Sequence, residues 1–380
     1  MKILLVGEYS RLHNSLKEGL MALGHEVTLV GTGDGFKKYP ADILLTPPYT
    51  HGWKKKLNVI AYRLLGMDLN SISIKKQFFS KRLKLKGYDV VQLINESPLG
   101  IRPKHEKEII QFLKEHNEQL FLLSCGTDHI SVQHSLEKKP RYSILSPLFE
   151  GKVNDSTYAP ILKYVQPSYQ DLHRFVYERI EGVIASDIDY HLPLLGHPKY
   201  LGMIPNPINI DNLKYYLPSL EDKVHVFHGI NRANYFKKGS DIFEQALAKI
   251  QKRYPDKVTV TTVEDIPYAS YIKKYDEAHI LMDQIWAYDQ GYNALEAMAK
   301  GKVVFTGAEQ EFKAHYQLDQ SVAINALPDV ASVYNELEQL VLDREIIKKI
   351  SHNARDFIER EHECQKIAQR YIDIWTPQRK

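Results

Sequence analysis

Residues 278–307 read AHILMDQIWAYDQGYNALEAMAKGKVVFTG, and the fold turns on how this stretch is read. Ile280-Leu281-Met282 is an apolar strand, and a loop carrying Asp283, Gln284, Asp289 and Gly291 follows it. The next residues are rich in Ala, Leu, Glu and Met, a composition that favours helix, and Val303-Val304-Phe305 forms a second strand. Asn293 is placed to cap the helix with Glu296 three residues on, and Gly301 stands where a C′ glycine belongs. Strand, loop, helix and strand in so short a span predict a βαβ unit and hence a parallel sheet. Ligands of open parallel sheets dock in the loop after a strand, where a helix begins. The N–H groups of Gly291, Tyr292 and Asn293 would favour a phosphate there, and the diphosphate of a nucleotide sugar is the expected occupant.

Bulk properties bound the rest. A chain of 380 residues is long for one core, so two domains are expected. Hydrophobic residues at 43% and charged residues at 26% are those of a globular protein in water, and a net charge of +3 argues against bulk nucleic-acid binding. Cys125 and Cys364 form no CxxC and no zinc spacing, which fits a reducing cytoplasm and no metal site. Met1–Gly7 is too short for a signal-peptide core, and no apolar run approaches the length of a membrane span.

The α/β alternation runs along the whole chain. Lys2 to Tyr9 begins as a Val/Leu/Ile strand, and a helical pattern (Leu12, Leu16, Leu20, Leu23) follows and closes at Gly24. Glu26–Gly31 is the next strand. The first turn lacks GxGxxG, which excludes a dinucleotide fingerprint. Tyr88–Asn95 and Gln119–Ser124 are further buried strands, and the second ends in Cys125-Gly126-Thr127-Asp128-His129. Polar residues at a strand's carboxyl end supply chemistry to a cleft. Asp128 is a candidate to bind sugar hydroxyls or to act as a base; its other reading is a cap of the following helix. Ile204-Pro205-Asn206-Pro207 is an extended crossing. It divides residues 1–206 from 207–360, and residues 361–380 read as a terminal helix. Beyond it Val224–Gly229 is a strand, and Arg232, Lys237, Lys238 and Gly239 precede a helix over 241–251.

These residues carry a resemblance. Gly291-Tyr292-Asn293-Ala294-Leu295-Glu296-Ala297-Met298-Ala299-Lys300-Gly301-Lys302-Val303-Val304 resembles the donor-binding signature of GT-B glycosyltransferases of the retaining family 4. Ile204–Ile208 resembles that family's interdomain linker, and Ile230–Gly239 resembles its Gly-Arg…Lys-Gly loop. The resemblance implies two Rossmann-like α/β/α domains with parallel sheets facing a central cleft, with acceptor at the first and donor at the second. It implies that Arg232 and Lys238 grip the donor diphosphate, beside Gly239, with Lys237 a competing assignment because the spacing is one residue long. Glu296 matches the glutamate that binds the nucleotide ribose; capping Asn293 is its other reading. The family's preceding Glu falls at Tyr288, and Asp289 or Asp283 is available in its place. The turn at Ile266-Pro267 is expected beside the base. Gly7, Tyr9, His13 and His129 become candidates for acceptor contact, His13 also reading as a helix surface residue. The terminal helix is expected to return to the first domain.

The expected activity is transfer of a hexosyl group from a nucleotide-diphosphate sugar, UDP favoured, to a hydroxyl of a glycan or lipid-linked acceptor. Retention of configuration is expected, with no cofactor and no metal, and Asp128, Asp289, Arg232 and Lys238 as catalytic residues. A non-catalytic nucleotide-sugar-binding protein and a GT-B phosphorylase or epimerase are the alternatives. Between His51 and Gly87 there are ten Lys or Arg against one acid, Asp68, a local charge of +9, with Trp53, Tyr62, Leu64, Leu65, Phe78 and Phe79 interleaved. Such a stretch docks on an anionic membrane or forms a solvated basic helix. A cytoplasmic protein of polysaccharide biosynthesis, peripheral on the inner membrane face through Lys54–Lys86, is the expectation.

Overall fold

The computed structural model describes residues 1–33, 39–264, 266 and 268–376. The chain divides into two compact units, one of residues 1–133, 161–207 and 364–380, the other of residues 134–160 and 208–363. Residues 134–160, read from the sequence as part of the first domain, therefore group with the second.

In the first unit β1 (Lys2–Val6), β2 (Glu26–Gly31), β3 (Ile43–Leu44), β4 (Val90–Leu93), β5 (Gln119–Ser124), β6 (Gly182–Ala185) and β7 (Tyr200–Met203) form one sheet. Its order is β3-β2-β1-β4-β5-β6-β7 and every neighbouring pair is parallel. Ile3, Leu4, Leu5 and Val6 are all 0% exposed, the continuous apolar run of a strand covered on both faces. Helix α1 (Leu12–Ala22) is one cover, and the terminal helix Cys364–Trp375 packs on it. A Cβ at Gly19 would lie 2.2 Å from the Cys364 carbonyl oxygen, so the approach requires glycine. Trp375 is fully buried, and its indole N–H donates to Gln92 on β4 at 3.3 Å.

In the second unit β8 (Val224–Ile230), β9 (Val258–Glu264), β10 (Ile280–Met282), β11 (Val303–Thr306) and β12 (Ile324–Asn325) stand in the order β12-β11-β10-β8-β9, again all parallel. The first strand, β8, lies between β9 and β10, so the winding reverses there. The crevice at the carboxyl ends of β8 and β10 is the switch point where ligands of such sheets bind. In the first unit the corresponding place lies between β1 and β4.

The βαβ unit over 280–306 forms as expected, with one difference. The helix spans Tyr292–Ala299 with Gly291 as its N-cap, so Asn293 lies inside the first turn and makes no capping box. Its amide reaches Asp283 instead. Gly301 has φ +83° at the C′ position. Among the described residues no helix is long and apolar enough to cross a membrane.

Candidate functional site

Two loops meet at the crevice of the second unit. After β8, the Asn231 side chain accepts from the Ala233 N–H at 3.0 Å and starts the turn Arg232–Asn234. The short helix Tyr235–Lys238 follows, then Gly239 at φ +73°, and the helix Ser240–Arg253 begins at once. A Cβ on Gly239 would lie 2.7 Å from Cβ of Ile285, in the loop after β10. The Ile285 N–H donates to the Lys238 carbonyl at 3.1 Å, and the Trp286 indole N–H donates to that of Phe236 at 2.9 Å. These bonds fix the backbone of Lys238 beside β10.

Lys238 Nζ donates to Asp283 Oδ1 at 2.8 Å, and Asn293 Nδ2 donates to the same oxygen at 2.9 Å. The Asp283 side chain is 1% exposed and that of Lys238 is 35% exposed, so a buried carboxylate holds an ammonium that still reaches solvent. Three segments, the short helix after β8, the loop after β10 and the start of the 292–299 helix, converge on one point. Of the two competing lysines, Lys238 is the one that makes this contact. Lys237 is pushed below its ordinary pKa by burial and then by the charge of Lys238. Beneath them His228 is 1% exposed; burial, then the charges of Lys238 and Arg232, push it down to about 4, so it is neutral.

Arg232 is arranged differently. Its guanidinium makes a two-point pair with Glu264, both bonds at 2.6 Å, and is 51% exposed. Glu296 is half-buried one turn into the 292–299 helix. The N–H groups of Tyr292 and Asn293 precede the first bonds within that helix, which run from Ala294 and Leu295 to the Gly291 carbonyl. Pro267 lies outside the described residues.

Tyr288, standing where the resemblance puts a glutamate, is 3% exposed. Segment 134–160 covers it: the Arg141 N–H donates to the Tyr288 hydroxyl at 2.8 Å, and the Arg141 guanidinium lies 4.8 Å from the ring centre. Arg141 also pairs with Glu309 at 2.7 Å and Glu311 at 2.6 Å, and the Tyr142 hydroxyl donates to Glu309. Burial alone would raise the Glu309 pKa, but donors from Asn325, Tyr142 and Arg141 outweigh it and hold the carboxylate below its ordinary range. Asp289 is 4% exposed, and its Oδ1 accepts from the Gln290 N–H at 2.7 Å. The loop is thus buried beneath a part of the chain that the sequence reading assigned to the other domain.

In the first unit the loops after β1 and β4 interlock. Gly7 has φ +90°, and a Cβ there would lie 2.2 Å from Ile94 Cγ2. The Tyr9 hydroxyl donates to the Ser97 carbonyl at 3.4 Å. His13, a candidate for acceptor contact, is 0% exposed and donates from Nδ1 to the Gly7 carbonyl at 2.8 Å. Burial pushes it to about 3. It is a neutral core histidine, which corrects its acceptor assignment. Asp128 is 1% exposed; one oxygen accepts from the Ser131 N–H at 2.8 Å and the other from the Ser124 hydroxyl. Its carboxylate therefore caps the helix that begins at His129, the alternative reading of this residue.

His129 is joined by two residues that were not among the candidates. His173 donates from Nδ1 to Glu96 Oε1 at 2.6 Å, and the His129 N–H donates to the other Glu96 oxygen at 3.3 Å. The rings of His129 and His173 are 4.6 Å apart. Burial raises the Glu96 pKa against the opposing bond from His173. Glu96 could be picked out only as part of a polar strand end, and nothing local marks His173, 77 residues away.

Residues 227–373 match the family model described as glycosyl transferase-like. No curated protein matches the sequence. Sucrose-phosphate synthase from Thermosynechococcus elongatus is similar over 99% of this chain and 98% of its own, with 16% identity and a TM-score of 0.63. Anabaena HepE in complex with UDP and glucose is similar over 98% of each chain, with 14% identity and a TM-score of 0.60. An α-glucosyltransferase in complex with UDP and a DNA 13-mer is similar over 99% of each chain, at 11% identity and a TM-score of 0.57. The fold is GT-B, and the resemblance carried by residues 291–304 is to glycosyltransferases built on it. Identities this low establish the architecture alone.

Proposed function

We propose that the protein transfers a hexosyl group from a UDP-linked sugar to a hydroxyl of a glycan or lipid-linked acceptor, with retention of configuration. The observation that carries this reading is the convergence of Lys238, Asp283 and Asn293 at the switch point between β8 and β10, at a helix start. It falls within the residues that match the glycosyl transferase-like model. The first-turn N–H groups of the 292–299 helix and the Lys238 ammonium hold the diphosphate. Glu296 takes the ribose hydroxyls. As the bond from the anomeric carbon to the phosphate oxygen breaks, negative charge grows on the leaving diphosphate and Lys238 stabilises it. Arg232 joins when its two-point contact is exchanged from Glu264 to phosphate, which presents oxygens at the same spacing. Charge neutralisation by these side chains without a metal is part of the proposal.

With Asp128 engaged as a cap, the departing phosphate oxygen is the base that takes the acceptor proton on the face where the new bond forms. A role in polysaccharide synthesis on the inner face of an anionic membrane completes the reading. UDP is favoured because the structures of HepE and the α-glucosyltransferase hold it. One observation favours a second reading, a donor-binding protein without transfer: the buried Tyr288 occupies the place of the sugar-contacting acid.

Calorimetric titration with UDP, GDP, ADP and CMP tests the site, on wild type, Glu296→Gln and Lys238→Met. Losing a charged hydrogen bond should weaken UDP binding by roughly 1.5–3 kcal/mol, more than tenfold. If no nucleotide binds, or both variants bind like wild type, the donor site is refuted. UDP binding without turnover of any UDP-sugar across an acceptor panel would favour the second reading.

A further inference from the structure

The basic stretch 51–87 resolves into three elements that differ in burial. In α3 (Leu69–Ser80) Ile74 and Phe78 are buried, so its apolar residues already have a partner in the unit. In the turn Arg82–Lys84 none is buried. In α2 (Gly52–Leu65) not one of fourteen residues is buried. Fourteen helical residues extend about 21 Å, too short to span a bilayer but enough to lie along one.

Seven large apolar residues of α2 are exposed, and four of them fall on one face while Val59, Tyr62 and Leu65 lie off it. Trp53, Leu57, Ile60 and Leu64 are spaced to share one helix face, and they are 70, 41, 53 and 77% exposed. At about 100° per residue, Lys56 and Arg63 line one flank of this stripe and Lys54 the other. No acid occurs between His51 and Met67. The helix is held to its unit elsewhere on its circumference: Asn58 accepts from the Leu69 N–H at 2.7 Å, and the Arg102 guanidinium lies 4.2 Å from the centre of the Tyr62 ring. These contacts leave the 53-57-60-64 stripe facing water. A soluble partner helix would suit an apolar stripe alone. Cations on both flanks with no acid among them match a surface that is apolar below and anionic above, a bilayer of anionic lipid.

We propose that α2 is an in-plane membrane anchor. It inserts Trp53, Leu57, Ile60 and Leu64 below the headgroups of an anionic bilayer, with Lys54, Lys56 and Arg63 at the phosphate level. This deepens the membrane placement of the function proposed above but rests on α2 alone, and its test needs no donor or acceptor.

The test is flotation with phosphatidylcholine vesicles, with or without phosphatidylglycerol. Trp286 and Trp375 are 3% and 0% exposed, so a blue shift of tryptophan emission on adding vesicles reports insertion of Trp53. Wild type should float and shift with the anionic vesicles only, and lose both effects in high salt. Each cation contributes roughly fivefold to partitioning, so the triple variant K54Q/K56Q/R63Q should bind about a hundredfold more weakly. The double variant W53S/L64S should bind more than tenfold more weakly. Both variants alter exposed residues and should keep the wild-type melting temperature and UDP affinity. A protein that fails to bind UDP but floats with anionic vesicles refutes the donor site and leaves the anchor standing. Wild type that stays in the supernatant with both vesicles overturns the anchor, as does undiminished flotation of W53S/L64S. A dimer in sedimentation velocity that W53S/L64S dissociates would assign the stripe to a second copy of the chain and overturn it too.

Discussion

Removing the Lys238 ammonium probes how the donor loops are assembled. Asp283 Oδ1 accepts from Lys238 at 2.8 Å and from Asn293 at 2.9 Å, while Oδ2 accepts from the Thr306 hydroxyl at 3.4 Å. Lys238→Met keeps much of the stem and deletes the charge, leaving a carboxylate that is 1% exposed with the neutral donors Asn293 and Thr306 among the described residues. Breaking a fully buried pair costs about 3–5 kcal/mol. The Lys238 side chain is 35% exposed, so water screens the pair and the cost falls to roughly 1.5–3 kcal/mol. Asp283→Asn leaves the ammonium where water can solvate it, and should cost about 1 kcal/mol. In the double variant the amide needs no cation, so the combined loss should fall short of the sum by about 1–2 kcal/mol. Urea unfolding at pH 7 reads this as midpoint shifts at constant slope. Additivity within about 0.5 kcal/mol would show that Asp283 does not depend on Lys238, and would refute the reasoning.

Two further outcomes follow from the same geometry. Gly239→Ala forces an L side chain into φ +73° with its Cβ 2.7 Å from that of Ile285. It should cost about 2–4 kcal/mol and lower the melting temperature, with part recovered by adding Ile285→Ala; unchanged melting would contradict the close approach. Acid should loosen the second unit first. Burial pushes both His228 and His279 down to about 4 from an ordinary 6.5. The unfolded chain then binds more protons below about pH 6.5, and stability falls as pH drops from there toward 4. At pH 5 the loss is about 2 kcal/mol per histidine. In the first unit His13, pushed to about 3, acts in the same sense, but burial raises Glu106 from 4.5 to about 7. Glu106 holds its proton when folded, so it opposes the loss as pH falls through that window. Hydrogen exchange should show protection lost in residues 208–363 first between pH 7 and 5, and earlier loss in the first unit would contradict this.

What could be read from the sequence was local. Ile280–Met282 and Val303–Phe305 are apolar runs, Ala294–Ala299 is rich in helix formers, and Gly301 is fixed by its positive φ, so each signal lies within a few residues of its consequence. The helix start was missed by two residues because the Asn293 amide is drawn to Asp283, ten positions earlier and beyond β10. The cover over Tyr288 was not legible at all, since Arg141 lies 147 residues away and nothing in Arg141-Tyr142 marks them as its neighbours. Glu96 and His173 escaped for the same reason.

The basic stretch shows the converse limit. Its charge was plain, but charge and apolar content are shared by α2 and α3, and only burial separates the helix whose apolar face is covered from the one whose face is not. Lys237 and Lys238 are likewise distinguished only by their contacts. Spacing along the chain favoured neither, while the contact of Gly239 with Ile285 and the bond from the Ile285 N–H to the Lys238 carbonyl set which ammonium turns to Asp283. A motif names the residue types that a diphosphate requires. The neighbouring loop decides which copy of the type is in place, and that loop is brought there by the order of strands in the sheet.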